Sequence, residues 1–130
     1  GAAEQSAVAA AVGMAREGAK PYLYYMTNFV VFRPYEQVRN LVAHGNANVK
    51  LFGVQGSEAY RFLGVGHNFE KNIPLRVTLD GKPMTVHQDE DVKLLHHLPN
   101  MKCYVPQREQ DVRDIMREEY TREGPMYCRI

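Results

Sequence analysis

The stretch TNFVVFRPYEQVRN, residues 27–40, decides how this chain folds. Ahead of it stands YLYYM (22–26), aromatic-rich and uncharged, which reads as a buried strand. Within it, Pro34 suits the first turn of a helix, and Tyr35, Val38, Leu41 and Val42 follow at helical spacing. Behind it, NVKLFGV (48–54) reads as a second strand. Strand, helix and strand joined by short links predict a right-handed crossover between parallel neighbours.

The same alternation extends outward. Residues 3–17 place Ala, Val and Met as in a small-residue helix, which Gly18 stops and Lys20-Pro21 close off. Residues 55–73 carry Gly56, Gly64 and Gly66 with no clear period and read as a long loop. LRVTLDGKPMTV (75–86) reads as a hairpin around Asp80-Gly81, a type I′ turn signal. Asp89 is placed to cap a helix running to about His97, with Val92, Leu94 and Leu95 as its apolar positions. MKCYV (101–105) reads as a strand closed by Pro106. Residues 107–122 form an amphipathic helix with Val112, Ile115, Met116 and Tyr120 on one face. Glu109–Arg113 and Glu118–Arg122 are expected to pair on its outer side. Gly124-Pro125 ends that helix, and MYCRI (126–130) is the last strand. The expected fold is α/β: a mainly parallel sheet with helices on both faces, plus an inserted β-hairpin.

Composition sets the bounds. At 130 residues the chain is one domain, 1–130, large enough to bury a core. Sixteen Lys and Arg against 15 Asp and Glu, with no long basic run, point away from nucleic acid and anionic membrane. No stretch approaches the roughly 18 apolar residues of a membrane span. GAAEQSAVAAAVGMA lacks a positively charged leader and does not read as a signal peptide. Cys103 and Cys128 sit in separate apolar segments without CxxC spacing, which suits free buried thiols and a reducing, cytoplasmic setting.

Three groups of residues are candidates for chemistry. Glu4 opens the first helix, where a carboxylate gains from the helix dipole. On spacing alone the favoured reading is an exposed, purely electrostatic helix terminus. Phe29 and Phe32 follow a strand, and ligand sites in open α/β sheets lie beyond the carboxyl ends of strands. They either present ring faces to a flat heterocycle or belong to the core. His67 and His87 lie in or near the irregular region, and His96 and His97 end a helix. No histidine pair has metal-ligand spacing with a third donor nearby, so no protein-only metal site is expected. There is no Walker loop, nucleophile elbow or GxGxxG.

Taken together these segments resemble the pyrimidine-binding domain of the transketolase and deoxyxylulose-phosphate synthase superfamily. GAAEQSAVAAAVGMAREGAKPY is similar to its G-I-A-E-Q helix and the turn that follows. TNFVVFRPYEQVRN is similar to F-x-x-F-R-x-Y-[ED]-Q-[IV]-R, and NVKLFGV to the next strand. EDVKLLHHLPNMKCYVPQ and EGPMYCRI resemble the two closing blocks. Five blocks in order form a specific pattern. The resemblance implies that Glu4 hydrogen-bonds a ring nitrogen of the thiamine aminopyrimidine. It implies that Phe29 stacks on that ring and that Met26 and Phe32 shape the pocket. It implies thiamine diphosphate as cofactor, with magnesium held mainly by a partner, because the family's G-D-G…N motif does not occur in these residues.

Two departures accompany the resemblance. The family's histidine loop should follow Val54, but the chain reads QGSEAYRFLGVGHNFEKN there and then adds the hairpin. Two positions remain for that catalytic histidine, His67 in Gly66-His67 and His87 in Thr85-Val86-His87. A strand also ordinarily precedes the AEQ helix, so the expected sheet lacks a member and exposes an edge. The expectation is the pyrimidine-binding half of a split or truncated transketolase-like enzyme for ketol or acyl transfer. It would work as an oligomer with itself or with a diphosphate-binding subunit. The alternatives are a non-catalytic dimerisation or partner-binding module, and a small-molecule-binding domain using the remodelled region 55–86.

Overall fold

A computed structural model describes residues 3–56 and 58–130; Gly1 and Ala2, which open the quoted AEQ block, and Ser57 lie outside the described residues. Helix α1 (Glu4–Arg16) leads to strand β1 (Tyr22–Met26). Its end follows from Gly18. A φ of 90° there lets Gly18 N–H reach Ala15 O and Ala19 N–H reach Met14 O, the Schellman pair of bonds.

Helix α2 then runs over residues 28–43 and starts earlier than Pro34 suggests. It comprises Asn28–Phe32, Tyr35–Gln37 and Val38–Ala43, the outer two wound with wide i→i+5 turns. Pro34 has no N–H to give and its ring crowds the preceding turn, so the helix widens around it instead of beginning there. Arg33 N–H reaches Asn28 O at 3.0 Å across the first wide turn.

Strands β2 (Lys50–Val54), β5 (Lys102–Tyr104) and β6 (Met126–Arg129) join β1 in one sheet, in the order β1-β2-β6-β5. All three pairings are parallel. Between β2 and β5 the chain forms a 3₁₀ segment (Glu58–Gly66) where the scattered glycines predict only a loop. A separate antiparallel hairpin follows, β3 (Ile73–Leu79) and β4 (Lys82–Gln88), two residues longer at each open end than expected. Asp80 and Gly81 both have positive φ, as a type I′ turn requires. Short helix α3 (Glu90–Leu95) and helix α4 (Glu109–Thr121) complete the chain.

The sheet separates two cores. On one face Val8, Val12, Val30, Val38, Val42 and Leu95 from α1, α2 and α3 pack on Leu51 and Tyr127. On the other, Phe52, Met126 and Cys128 meet Ile115 of α4. Helices therefore cover both faces of a parallel sheet, as expected.

Helix α4 departs from its expected polarity. Tyr120 is 75% exposed, and Glu119 beside it is fully buried. The reason is Lys50, which points from β2 under α4 with its side chain fully buried. Its Nζ donates to Glu119 Oε2 at 2.8 Å, Gly124 O at 2.8 Å and Arg122 O at 3.0 Å. Arg122 pairs with Glu119 and Glu118 with Lys102, so Glu118–Arg122 does not form; Glu109–Arg113 does. Asp89 precedes α3 but caps nothing with its side chain, because it accepts from Asn72 N–H and Arg129 instead.

Candidate functional site

Beyond the carboxyl end of β1 lies a cavity of about 310 Å³, lined by Asn28, Phe29, Phe32, Arg33, Val65 and Gly66. Its floor is the first wide turn of α2, and π-type turns of this kind recur at functional sites. Its rim is the 3₁₀ segment, which two asparagines tie down. Asn28 Nδ2 donates to Val65 O at 2.9 Å and Asn68 O at 3.1 Å. Asn68 Nδ2 donates back to Gly64 O at 2.8 Å and Tyr60 O at 3.1 Å. Gly56 makes this closure possible, because a Cβ there would lie 2.6 Å from His67 O.

Glu4 is not the exposed helix terminus that spacing allows. Its side chain is 9% exposed, and Oε1 accepts from Arg33 Nη1 at 3.0 Å. Its own backbone N–H, and then the Arg33 guanidinium, hold the carboxyl below the usual range against the opposing effect of burial. Arg33 also lies over the Phe29 ring, Cζ to centroid 4.3 Å. The ring of His67 meets Phe29 edge-on at 5.1 Å.

Three buried polar atoms around Phe29 have no hydrogen-bond partner: Glu4 Oε2, Asn28 Oδ1 and His67 Nδ1. Buried polar atoms are nearly always paired, so three orphans in one neighbourhood fit a polar guest.

The structure thus places Phe29 and Phe32 in the cavity wall, while Glu4, reached through Arg33, and His67, edge-on to Phe29, adjoin it without being among its lining residues. Met26 ends β1 and is not among the lining residues. His87 stands exposed on β4 opposite Pro74 and does not line the cavity either. Sequence reasoning misses Arg33, Asn28 and Asn68. The spacing of Phe29 and Arg33 is the available signal, since residues four apart on a helix face each other.

A second cavity, about 360 Å³, opens beyond β2, β5 and β6 and is lined in part by Lys71, Gln107 and Arg129. Behind it Arg129 donates to Asp91 Oδ1 at 2.8 Å and Asp89 Oδ2 at 2.6 Å. Tyr127 donates to Asp91 Oδ2 at 2.6 Å, and burial followed by that carboxylate pushes its hydroxyl pKa far up.

A family model described as "Transketolase, pyrimidine binding domain" matches residues 1–130. The chain belongs to this family. It is 29% identical over 130 residues to one of the subunits of the apulose-4-phosphate transketolase of Phocaeicola vulgatus, covering all of this chain and 36% of that protein. It is 31% identical over 132 residues to 1-deoxy-D-xylulose-5-phosphate synthase of Bacillus velezensis, covering 17% of that protein. A solved structure described as "Split gene transketolase, inactive beta4 tetramer" superimposes with a TM-score of 0.71 at 26% identity, over 97% of this chain and 34% of that one. The chain therefore spans about a third or less of the length of these relatives. Among the described residues no helix is long and apolar enough to cross a membrane.

Proposed function

We propose that this chain is the aminopyrimidine-binding part of a thiamine diphosphate-dependent, transketolase-like enzyme, completed by a diphosphate-binding partner. The observation that carries this reading is the buried Glu4 with Oε2 unpaired, beside Phe29 at the end of β1. Glu4 would accept or share a proton with a ring nitrogen of the aminopyrimidine, Phe29 would stack on the ring, and Phe32 would wall the pocket. Of the two histidines, His67 would take the substrate-contacting role, a reading supported by its edge-on contact with Phe29. Met26 and His87 would act from outside the cavity lining. When bound, the cofactor supplies the electron sink for breaking and forming carbon–carbon bonds. Its diphosphate and magnesium would rest on the partner, in a cytoplasmic setting. The structural relative, described as an "inactive beta4 tetramer", accords with a half that assembles yet needs completion.

The test is reconstitution. Mixed with a diphosphate-binding transketolase subunit, thiamine diphosphate and magnesium, the chain is expected to support ketol transfer from a ketose to an aldose. Glu4→Ala is expected to lower that rate by about 10²–10⁴-fold, the usual share of a proton-handling group. Equal rates with and without the Glu4→Ala substitution would refute the assignment.

A further inference from the structure

Arg33 stands where a guest should. Its guanidinium covers the Phe29 ring at 4.3 Å, and one of its N–H donors holds Glu4 Oε1 at 3.0 Å. A guanidinium is flat, weakly hydrated and edged with donors that match a carboxylate. An aminopyrimidine is flat too, and it would use the same ring and the same carboxylate. We propose that Arg33 is a resident occupant of the aminopyrimidine position, displaced when a flat nitrogen heterocycle enters. This rests on the reading of the pocket given above.

The geometry makes displacement cheap. Arg33 grips Glu4 through a single contact, and Oε2 stays buried without a partner, where a two-pronged pair would satisfy both oxygens. The Arg33 side chain is 44% exposed, so it can move straight into water. Its backbone is fixed, with N–H on Asn28 O at 3.0 Å and the carbonyl accepting from Gln5 Nε2 at 3.3 Å. Only the side chain needs to swing. Until then Arg33 lowers the affinity of the isolated chain by the fraction of time it occupies the site. Arg33 is thus a positioning residue that acts through Glu4 and Phe29.

The probe is 4-amino-2-methylpyrimidine, titrated into the isotopically labelled chain and followed by NMR. In the unsubstituted chain the Arg33 Nε–H resonance, shielded by the Phe29 ring, is expected to move toward its unshielded position as probe is added. Arg33→Gln is expected to bind the probe about three- to five-fold more tightly, the scale of an exposed cation–π contact removed. It should also raise the titration midpoint of the Glu4 carboxyl. Arg33→Lys is expected to keep the midpoint low but bind with intermediate affinity, because an ammonium pairs with Glu4 without covering the ring. Glu4→Gln should bind more weakly. An unmoved Arg33 signal, or equal or weaker binding by Arg33→Gln, overturns the proposal alone. If no form of the chain binds, the aminopyrimidine reading falls with it. Should Arg33→Gln fail to fold, the resonance of the unsubstituted chain decides.

Discussion

Two buried carboxylates belong to helices on opposite faces of the sheet, and they are treated in opposite ways. Glu119 on α4 has every oxygen engaged: Lys50 at 2.8 Å on Oε2, Arg122 at 2.6 Å and Tyr104 at 2.8 Å on Oε1. Glu4 on α1 has one oxygen on Arg33 and the other on nothing. A fully satisfied buried network specifies a fold, whereas a half-satisfied one is a standing cost. The unpaired Glu4 oxygen is the one that the proposed guest would complete. The largest expected effect follows. Glu119→Ala strands the Lys50 ammonium and is expected to cost about 3–5 kcal/mol in urea unfolding, while Lys50→Met with Glu119→Leu recovers most of it. Glu4→Gln should leave the unfolding midpoint almost unmoved. A large loss at Glu4, or none at Glu119, would erase the distinction.

Acid should sharpen it. Burial pushes the Glu119 carboxyl up, but Arg122, Lys50 and Tyr104 outweigh that and hold it below the ordinary range. Asp89 is likewise held low, against burial, by Asn72 N–H and Arg129. A carboxyl depressed in the folded state gives stability that is complete above its ordinary value and drains as pH falls through the folded value. Stability is therefore expected to decline between about pH 5 and about pH 2, and the Lys50→Met, Glu119→Leu chain should decline less steeply over that window. An identical slope for both chains would mean that Glu119 is not held ionised.

The same contrast explains what can be read in advance. The strand and helix order is legible because Gly18-to-Pro21, Asp80-Gly81 and Gly124-Pro125 punctuate uniform apolar runs. The inner face of α4 is misread at Tyr120 because periodicity weighs each residue alone, and the partner that draws Glu119 inward is 69 positions away in β2. Glu4 and Phe29 are legible from the blocks they sit in. Their coupling through Arg33 shows only as the four-residue spacing of Phe29 and Arg33, which does not reveal that the guanidinium also reaches Glu4, 29 positions away. The region 55–88 is the least legible. Its hairpin stands apart from the main sheet, and Phe62 and Val65 of its 3₁₀ segment are over 80% exposed, so no core periodicity is imposed on them.

The smallest effect tests whether pairing alone matters. Helix α4 also carries Arg113–Glu109 and Arg117–Asp114, the latter at 3.1 Å, with side chains 61–80% exposed. These pairs join the same kinds of charge as Lys50–Glu119, but water already satisfies each charge when the partner leaves. Glu109→Gln is expected to change stability by no more than about 0.5 kcal/mol, and less still in about 1 M salt. A loss approaching that of Glu119→Ala would mean that contact geometry governs the energetics here. A negligible one places the weight on burial with full satisfaction, the property that separates Glu119 from Glu4.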